Sequence, residues 1–541
     1  TITSGGAVSL AGITSGTLAV TGTGITLNSD ITSSGTQAYN GAATLGAGVT
    51  LATTNNNVTF GSTLNSATSS RALTITAGTG TVTFTGAVGG NLALGAASIT
   101  AASVVHSSTL VGSSSYAITG NASFSGAVTG LTTLSVSGTT SIGANITSSS
   151  TQGYTGAVTL TGSAATRTLT GSAVTFGSTL TGGSNALVVT GAASFGGAVT
   201  GLTTLSVSGT STIAADITSS GTQTYTGAVT LSNDVSLSTT NNNISFSSTV
   251  DSDATAARNL TLSVGTANIT FTGAVGGAQG LGNISLTSTG TSTFSSSVSA
   301  TSILQNSTTG TTAINGGSIT TSSTQEYRNN ATLGADAALS ATTATFKGTI
   351  AGAYSLAITG NAVFGDGTAD TVALSGTGKN LSVSGTTAIN TSTITTSGTQ
   401  TYTGAVTVNT ALTLSASGIT TGSTFAVSAN ALTLTTDAIA LGGNLSGTAA
   451  LVIQPKTVTT TIGLAGADGD LNLSAAELDL IQDGFSLITI GSASGTGKIT
   501  AAAYTFKDTL KLINAGSSSN RGMQFTGAVS VLGGTSGTTN I

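Results

Sequence analysis

The sequence predicts an all-β fold, a parallel β-solenoid with roughly 20–25 residues per coil that forms a single elongated rod. Three observations lead to this prediction. A repeat unit that begins with Ile and is centred on Tyr recurs along the chain, aromatic residues return at fairly regular intervals, and short runs alternate apolar and hydroxyl side chains. Units of this kind bury their apolar face only against a neighbour of the same shape, so they favour a stacked architecture.

The repeat unit starts with Ile, has Tyr in the middle and ends with Leu or Val, with Ser, Thr and Gly between them. A single catalytic site does not require several near-copies of one segment, whereas a stack of similar coils does require them. The five copies are Ile31–Leu45, Ile146–Leu160, Ile217–Leu231, Ile319–Leu333 and Ile394–Val408.

A shorter unit consists of an aromatic residue, three small or polar residues and an aliphatic residue, as in FTGAV. From Tyr154 to Phe294 these aromatic residues return at intervals of roughly 20–30 residues, the length of one solenoid coil. At that period the chain makes roughly 24 coils and a rod on the order of 110 Å, given ~4.8 Å per strand. The predicted core aromatic residues are Phe60, Phe84, Phe124, Tyr154, Phe176, Phe195, Tyr225, Phe246, Phe271, Phe294, Phe346, Tyr402, Phe506 and Phe525.

The local pattern agrees with short strands and tight corners. Ala72–Thr76 and Thr81–Thr85 alternate apolar and hydroxyl residues, which places one set inside and the other in water. Three consecutive asparagines occur at Asn55–Asn57 and again, in an equivalent place, at Asn241–Asn243. Because Asn tolerates the left-handed conformation and its amide can bond along a stack, these positions are predicted to be corners.

Composition excludes several classes. The chain has only 11 basic and 16 acidic residues among 541, and none between Arg71 and Arg167, so it has no basic surface for nucleic acid. A mean hydropathy of +0.36 with regularly spaced aliphatic residues argues against disorder. There is no Cys, hence no disulfide or thiolate metal site, and no apolar run long enough to span a bilayer.

The predicted organisation is a repeat region at 1–450 and variant coils at 451–541, where a junction or cap is expected. Residues 456–541 hold 11 of the 27 charged residues, more than their share of the chain length. Ser474 and Glu477 have the spacing of a capping box, and Gly484 provides a stop, so a short helix is predicted at about 474–483.

The repeats and the tail resemble a known group of proteins. The YTGAVTL units, Gly310–Tyr327, Ala331–Ser340 and especially Leu451–Gly491 are similar to β-strand repeats of very large bacterial exoproteins, the filamentous-haemagglutinin-like and autotransporter-like surface proteins. The resemblance covers nearly the whole chain. It implies a right-handed parallel β-helix exported to the bacterial surface or beyond, acting as a stalk, adhesin or filament. The secretion domain and membrane barrel of that group are not recognisable in this sequence.

Candidate sites are few. Polysaccharide lyases and hydrolases also use β-helices, but their chemistry needs converging carboxylates, and the acids here are scattered, with Asp251 and Asp253 the nearest pair. No catalytic residue is therefore predicted. Asp468, Asp470 and Asn472 alternate as oxygen ligands of calcium would, although Leu473 stands where an EF-hand has Gly. An acidic turn without metal is the expectation here, and calcium is the one candidate cofactor, kept as the alternative.

Two further features concern the aromatic positions and the surface. His106 opens HSSTL in alignment with FGSTL at Phe60, so it is predicted to fill the aromatic position of its coil. Ile118–Leu160 and Val189–Leu231 match at a constant offset, and a third version at Ile358–Val408 carries an insertion. This insertion predicts an outward loop, with Gly365–Lys379 the first place to look for surface chemistry.

The function expected from these observations is a structural rod of a bacterial surface protein that forms a fibre, filament, stalk or sheath. The main alternative is an adhesin that binds glycans through loops, and an ice-binding or polysaccharide-active protein is less favoured. Expected partners are further copies, stacked end to end or side by side, or more of a longer chain, together with glycans. The expected location is extracellular or on the cell surface.

Overall fold

The computed structural model describes residues 1–162, 164–516 and 521–532. Apart from one short helix, its regular structure is β, and the strand pairs of the described residues are parallel, as the sequence predicts. The described residues fall into two compact units, Thr1–Gly265 and Thr266–Ile541, which are taken separately below. The boundary predicted at 450/451 does not coincide with this division, and regular pairing such as Leu432↔Leu451 continues across it.

In the first unit the strands lie in three stacks, which we call 1a, 1b and 1c in the order the chain visits them. Stack 1a contains Ile2–Thr3, Leu18–Thr21, Gln37–Tyr39, Val58–Phe60, Thr81–Phe84, Ala97–His106, Tyr116–Phe124, Thr140–Ile142, Val158–Leu160, Leu180–Phe195, Val199–Val207, Ile217–Ser219, Val235–Thr239 and Leu260–Gly265. Stack 1b contains Ala7–Leu10, Gly24–Leu27, Ala42–Leu45, Leu64–Ser66, Leu110–Val111, Val128–Leu131, Ile146–Ser148, Thr166–Phe176, Leu180–Phe195, Val199–Val207, Gln223–Tyr225 and Ile244–Phe246. Stack 1c contains Ile13–Ser15, Ile31–Ser33, Val49–Thr53, Leu73–Thr76, Ala97–His106, Tyr116–Phe124, Leu134–Val136, Thr151–Tyr154, Thr166–Phe176, Leu180–Phe195, Ser211–Ile213, Val229–Leu231 and Val250–Ser252.

The second unit has the same three-sided arrangement, with stacks 2a, 2b and 2c. Stack 2a contains Ile269–Phe271, Thr291–Phe294, Thr311–Ile314, Asn330–Leu333, Ile350–Gly352, Thr371–Leu374, Thr393–Thr396, Leu412–Ala416, Leu432–Thr436, Ala450–Gln454, Leu487–Ser492 and Leu510–Asn514. Stack 2b contains Val298–Gln305, Ser318–Thr321, Ala337–Phe346, Leu356–Phe364, Leu381–Val383, Thr399–Tyr402, Gly418–Thr421 and Ile439–Leu441. Stack 2c contains Leu281–Ser288, Val298–Gln305, Thr324–Tyr327, Ala337–Phe346, Leu356–Phe364, Thr387–Ile389, Val406–Val408, Phe425–Ser428 and Leu445–Gly447.

Some long strands belong to two stacks because the chain turns a corner without leaving extended geometry. The turn in the three homologous segments lies at Gly120, Gly191 and Gly360, which have φ of 132°, 123° and 119°. A Cβ at Gly120 would lie 1.8 Å from the carbonyl oxygen of Ala101 in the preceding coil. Only glycine fits this corner, for both conformational and steric reasons.

The alternation predicted for the strands is observed. Leu73 and Ile75 are fully buried while Thr74 and Thr76 are exposed, and the same pattern holds at Val82 and its neighbours. The asparagine corners are also confirmed: Asn55 and Asn241 have φ of 58° and 54°.

The aromatic residues are the core, with one exception. Thirteen of the fourteen predicted core rings are at most 3% exposed. The prediction for Phe525 is wrong, since its side chain is 41% exposed. It lies on Met523–Phe525, the last strand of a small sheet that also contains Leu471–Leu473, Ile462–Leu464 and Ile499–Ala501, and no later strand within the described residues pairs over it.

The rings do not form a single column. In stack 1a, Tyr39, Phe60, Phe84, His106 and Phe124 follow one another with ring centroids 4.6–5.5 Å apart. In stack 1c the column is Tyr154, Phe176 and Phe195, and in stack 1b it is Tyr225 and Phe246. The long interval from Phe195 to Tyr225 is therefore not one coil, because Phe195 already pairs with Ile213.

The repeat unit explains this displacement. Its three parts form three successive sides, and each copy starts on a different one. The copy at Ile31 starts on stack 1c, the copy at Ile146 on 1b and the copy at Ile217 on 1a. In the second unit the copy at Ile319 starts on 2b and that at Ile394 on 2a. The three sides are thus equivalent environments for the same sequence.

The predicted helix is observed as Ala475–Leu480, shorter than the expected 474–483. Ser474 and Glu477 form the predicted capping box, and the Glu477 carboxylate also accepts a 3.3 Å bond from the Leu441 amide. The helix lies in an excursion of the chain, since Ile453 pairs with Ile490 beyond it. The chain leaves helical geometry before Gly484 is reached, because Ile481 is extended. After the helix, Tyr504–Phe506 pairs with Val529–Val531.

We expect Ser474→Ala to lower the free energy of unfolding by about 1 kcal/mol, because the backbone amide of the third helical residue loses its acceptor. That amide belongs to Glu477 and lies 3.2 Å from the Ser474 hydroxyl. Chemical denaturation measures the change, and Ser474→Thr, which keeps the hydroxyl, is the matched control. Equal stability of the Ala and Thr variants would contradict the role of the box.

Candidate functional sites

The most frequently repeated polar arrangement is a buried glutamine–tyrosine pair in the repeat unit. In the copy at Ile217, the Gln223 amide nitrogen donates to the Ile217 carbonyl at 3.2 Å, to the Ser219 hydroxyl at 3.3 Å and to the Ser238 carbonyl at 2.8 Å. Tyr225 donates its hydroxyl to Gln223 Oε1 at 3.1 Å. The amide therefore joins two sides of one coil to each other and to the next coil.

All five copies contain this pair, and all five glutamines are at most 1% exposed. The tyrosine hydroxyl lies 2.8–3.1 Å from the glutamine oxygen in each. The pairs are Gln37–Tyr39, Gln152–Tyr154, Gln223–Tyr225, Gln325–Tyr327 and Gln400–Tyr402. Sequence reasoning singled out the tyrosine and missed the glutamine, although its identity in every copy was the available signal.

Burial raises the pKa of these five tyrosines above the usual range. The hydroxyl therefore remains protonated and donates to the glutamine oxygen. A buried polar group that is fully bonded stabilises one packing arrangement, whereas a single missing partner is costly. These pairs are structural elements of the interior and are not accessible to a ligand.

The scattered acids are bonded to the backbone of the next coil. Asp30 accepts a 2.6 Å bond from the Thr50 amide, Asp216 a 2.8 Å bond from Ser236, and Asp234 a 2.9 Å bond from Asn259. Asparagines repeat the arrangement, for example Asn121 with the Thr139 amide at 2.9 Å. Short oxygen acceptors at the corners thus satisfy amides that the strand ladders leave free.

Asp251 and Asp253, the pair of acids considered for catalysis, make different contacts. Asp253 forms an ion pair with Arg258 at 3.1 Å, and the hydrogen bond from Arg258 holds the pKa of Asp253 down to about 2. Asp251 lies on the strand Val250–Ser252, opposite Thr230 in the register. An acid with so low a pKa is a poor proton donor near neutral pH, so Asp253 is not suited to the general-acid step of glycoside hydrolysis.

His106 occupies the aromatic position of stack 1a, as the sequence predicts. Its ring stacks on Phe84 with centroids 4.6 Å apart and on Phe124 at 5.5 Å. Nε2 lies 2.9 Å from the Tyr116 hydroxyl, while Nδ1 has no hydrogen-bond partner within the described residues. Burial lowers the pKa of His106 to about 3, so the ring is neutral and behaves as one more core aromatic.

The calcium candidates lie at the edge of the excursion before the helix. Asp470 accepts from the Thr461 hydroxyl at 2.8 Å, and the Asn472 amide nitrogen donates to the Ala467 carbonyl at 3.0 Å. Asp468 and Asp470 line an open cavity of about 720 Å³ together with Lys498. Among the residues that the structure describes, no three His, Cys, Asp or Glu side chains are grouped so that they could hold a metal ion. Calcium binding stays the untested alternative to an acidic turn without metal.

The insertion in the third homologous segment is divided between two corners. The strand Thr371–Leu374 lies between them, and the second corner brings Lys379 to the surface. Lys379 Nζ is 3.1 Å from Asp336 Oδ1 and 5.6 Å from the centroid of the Tyr354 ring, which is 36% exposed. Of the eight tyrosines, six are fully buried and Tyr504 is half-buried, so Tyr354 is the one that faces solvent.

A shallow cavity of about 290 Å³ lies beside this cluster. Its floor consists of Ala338, Ala357 and Ser382, which point outward from three consecutive strands in register. Ser355 and Asn380 line it at the corner, next to Asp336. This is the place where the described surface combines an exposed ring, an acid, a base and an amide.

In the described part of the chain, no helix is long and apolar enough to cross a membrane. No protein-family model, curated protein or solved structure matches the chain, so conclusions about its function depend on its own residues and geometry.

Proposed function

We propose that this chain is a structural β-solenoid segment of a bacterial surface or secreted protein, contributing length and stiffness to a fibre, filament, stalk or sheath. One observation carries the proposal: copies of the same repeat unit start on each of the three sides and place the same kinds of residue in the interior. Rings, glutamine–tyrosine pairs and corner acids all serve to hold one coil on the next. The corner acids Asp30 and Asp216 and the buried His106, side chains of types that enzymes use for chemistry, are thereby occupied in supporting the stack.

The surface chemistry supports the same role. Charged residues are rare, and outward positions on the strands are mostly Thr, Ser and Ala. A hydroxyl-rich surface with little charge repels copies of itself only slightly, so side-by-side packing is part of the proposal. The placement outside the cell is supported by the resemblance of the repeats and of Leu451–Gly491 to bacterial exoproteins.

Electron microscopy of the purified chain tests the shape. We expect narrow, unbranched particles on the order of 110 Å long, because parallel strands stack at ~4.8 Å. Compact globular particles would contradict the proposal. Sedimentation at increasing protein concentration tests the assembly, with growth in length or width expected and a strictly monomeric rod counting against the filament.

A further inference from the structure

The exposed Tyr354 ring has no evident role in a scaffold, although its neighbour Asp336 is a corner acid that accepts a 2.8 Å bond from the Ser355 amide of the next coil. Tyr354, Asp336 and Lys379 come from three consecutive coils, and two of these residues belong to the small charged minority of the chain. Elsewhere the scaffold buries six tyrosines, and the half-buried Tyr504 donates its hydroxyl to Asp479 at 2.8 Å. An exposed ring beside an ion pair is therefore a departure that the packing of the coils does not require.

The homologous segments provide an internal comparison. The position four residues before Ile358 is Tyr354, and the corresponding residues before Ile118 and Val189 are Ser114 and Asn185. The position of Lys379, two residues before Leu381, is Thr132 or Thr203 in those segments, two residues before Leu134 and Leu205. The position equivalent to Asp336 is occupied by Ala96 in the segment of Ile118 and by Thr166 in the segment of Val189.

The same backbone thus folds without the aromatic ring, the acid or the base. The three residues that differ from the homologous segments come from separate coils, yet their side chains meet at one place. Their common effect is therefore on the surface that they share.

We propose that Tyr354, Asp336, Lys379 and Asn380 form a binding site for a neutral glycan. Lys379 Nζ lies over the Tyr354 ring at 5.6 Å from its centroid, and the exposed part of this ring offers an apolar surface for the C–H groups of a sugar ring. Around it, the Asp336 carboxylate accepts hydrogen bonds and the Lys379 ammonium donates them. The Asn380 side-chain nitrogen also donates, whereas its oxygen is occupied by the Thr399 amide at 2.8 Å and the Thr399 hydroxyl at 3.1 Å. These are the complements of a set of sugar hydroxyls.

Charge and size define the glycan further. Asp336 and Lys379 neutralise each other at 3.1 Å, so the site has no excess charge to attract an acidic sugar. The cavity of about 290 Å³ lies at the small end of ligand pockets, and Asp336 and Asn380 line it, while Tyr354 and Lys379 lie beside it. It fits one or two sugar rings lying along the surface. This binding function goes beyond the proposed scaffold role and does not depend on it.

The test is an array of neutral and acidic glycans probed with the purified full chain, followed by calorimetry with the neutral oligosaccharides that bind. Tyr354→Ser and Lys379→Thr introduce residues that the homologous segments already carry, so the fold is kept, and melting temperature checks this. We expect each variant to lower affinity about tenfold, Tyr354→Phe to retain it, and the control Ser114→Ala to leave it unchanged.

Three outcomes would overturn the proposal. One is an array without selective hits at millimolar ligand. Another is binding that Tyr354→Ser does not weaken. The third is a preference for acidic glycans that Lys379→Thr abolishes and Tyr354→Ser does not. Binding would then reflect only the attraction of an anion to the Lys379 ammonium.

Discussion

Replacing Gln223 by Ala is expected to destabilise its coil by about 3–5 kcal/mol, a large effect for one residue in an almost uncharged protein. The substitution removes the partner of the Tyr225 hydroxyl and one hydrogen bond to each of two backbone carbonyls, at Ile217 and Ser238. A buried group without a partner costs roughly 1–3 kcal/mol, and the lost side-chain volume adds a cavity term.

Chemical denaturation gives the overall change, and hydrogen exchange of the amides at 217–252 gives the local one, since stacked coils open in segments. Thr224→Ala is the matched control because Thr224 lies between the two buried residues and points outward. A loss below about 1 kcal/mol for Gln223→Ala would show that the pairs are not what holds the coils together.

Gln223→Met combined with Tyr225→Phe removes both polar groups while keeping their volume. We expect this double variant to be more stable than Gln223→Ala, because the buried hydroxyl no longer lacks a partner. An equal loss of stability in the single and the double variant would show that the destabilisation comes only from the backbone carbonyls that lose the glutamine as a donor.

Acidification is expected to destabilise the first unit through His106. The pKa of this residue is lowered from 6.5 to about 3 in the folded chain, so the unfolded chain takes up the proton first as pH falls. Its contribution to stability is complete above pH 6.5 and is lost progressively down to about pH 3. At about 1.4 kcal/mol per pH unit, roughly 3 kcal/mol is lost by about pH 4.5.

The window between about pH 6.5 and 4.5 isolates this residue. No charged side chain occurs between Arg71 and Arg167, and acids such as Asp253, with a pKa of about 2, contribute most of their own loss below the ordinary Asp pKa of 3.8. His106→Phe keeps the stacked ring, so its stability should be nearly constant across the window, although the Tyr116 hydroxyl then lacks its partner. Parallel losses in both proteins would contradict this explanation.

The similarity of several segments to one another made the fold predictable from the sequence. The arrangement of the aromatic rings could not be predicted in the same way. Treating each aromatic residue as the mark of one coil predicts one column and makes the longest intervals look like long coils. The structure instead divides the longest interval between shorter coils, since Phe195 pairs with Ile213, and the aromatic position moves to the next side. A period read along the chain cannot show which side a residue lies on, because the corners vary in length.

The candidate sites were recovered unevenly. His106 was placed correctly because its neighbours HSSTL align with other units. Gly365–Lys379 was marked as a place for surface chemistry, and Lys379 does reach the surface cluster, but Asp336 and Tyr354 were missed. They lie two coils and one coil before Lys379, and only the stacking of coils brings the three side chains together.

The sequence by itself determined that the chain is a parallel β-solenoid, where alternating strands such as Ala72–Thr76 and the asparagine corners lie, and where the helix of the described residues begins, because these features follow from local periodicity and capping chemistry. The tertiary structure alone decided which residues share a side, which carbonyls each buried glutamine meets, and that Phe525 remains exposed. Those relations depend on the register between successive coils, which is set by the packing of every coil on its neighbours.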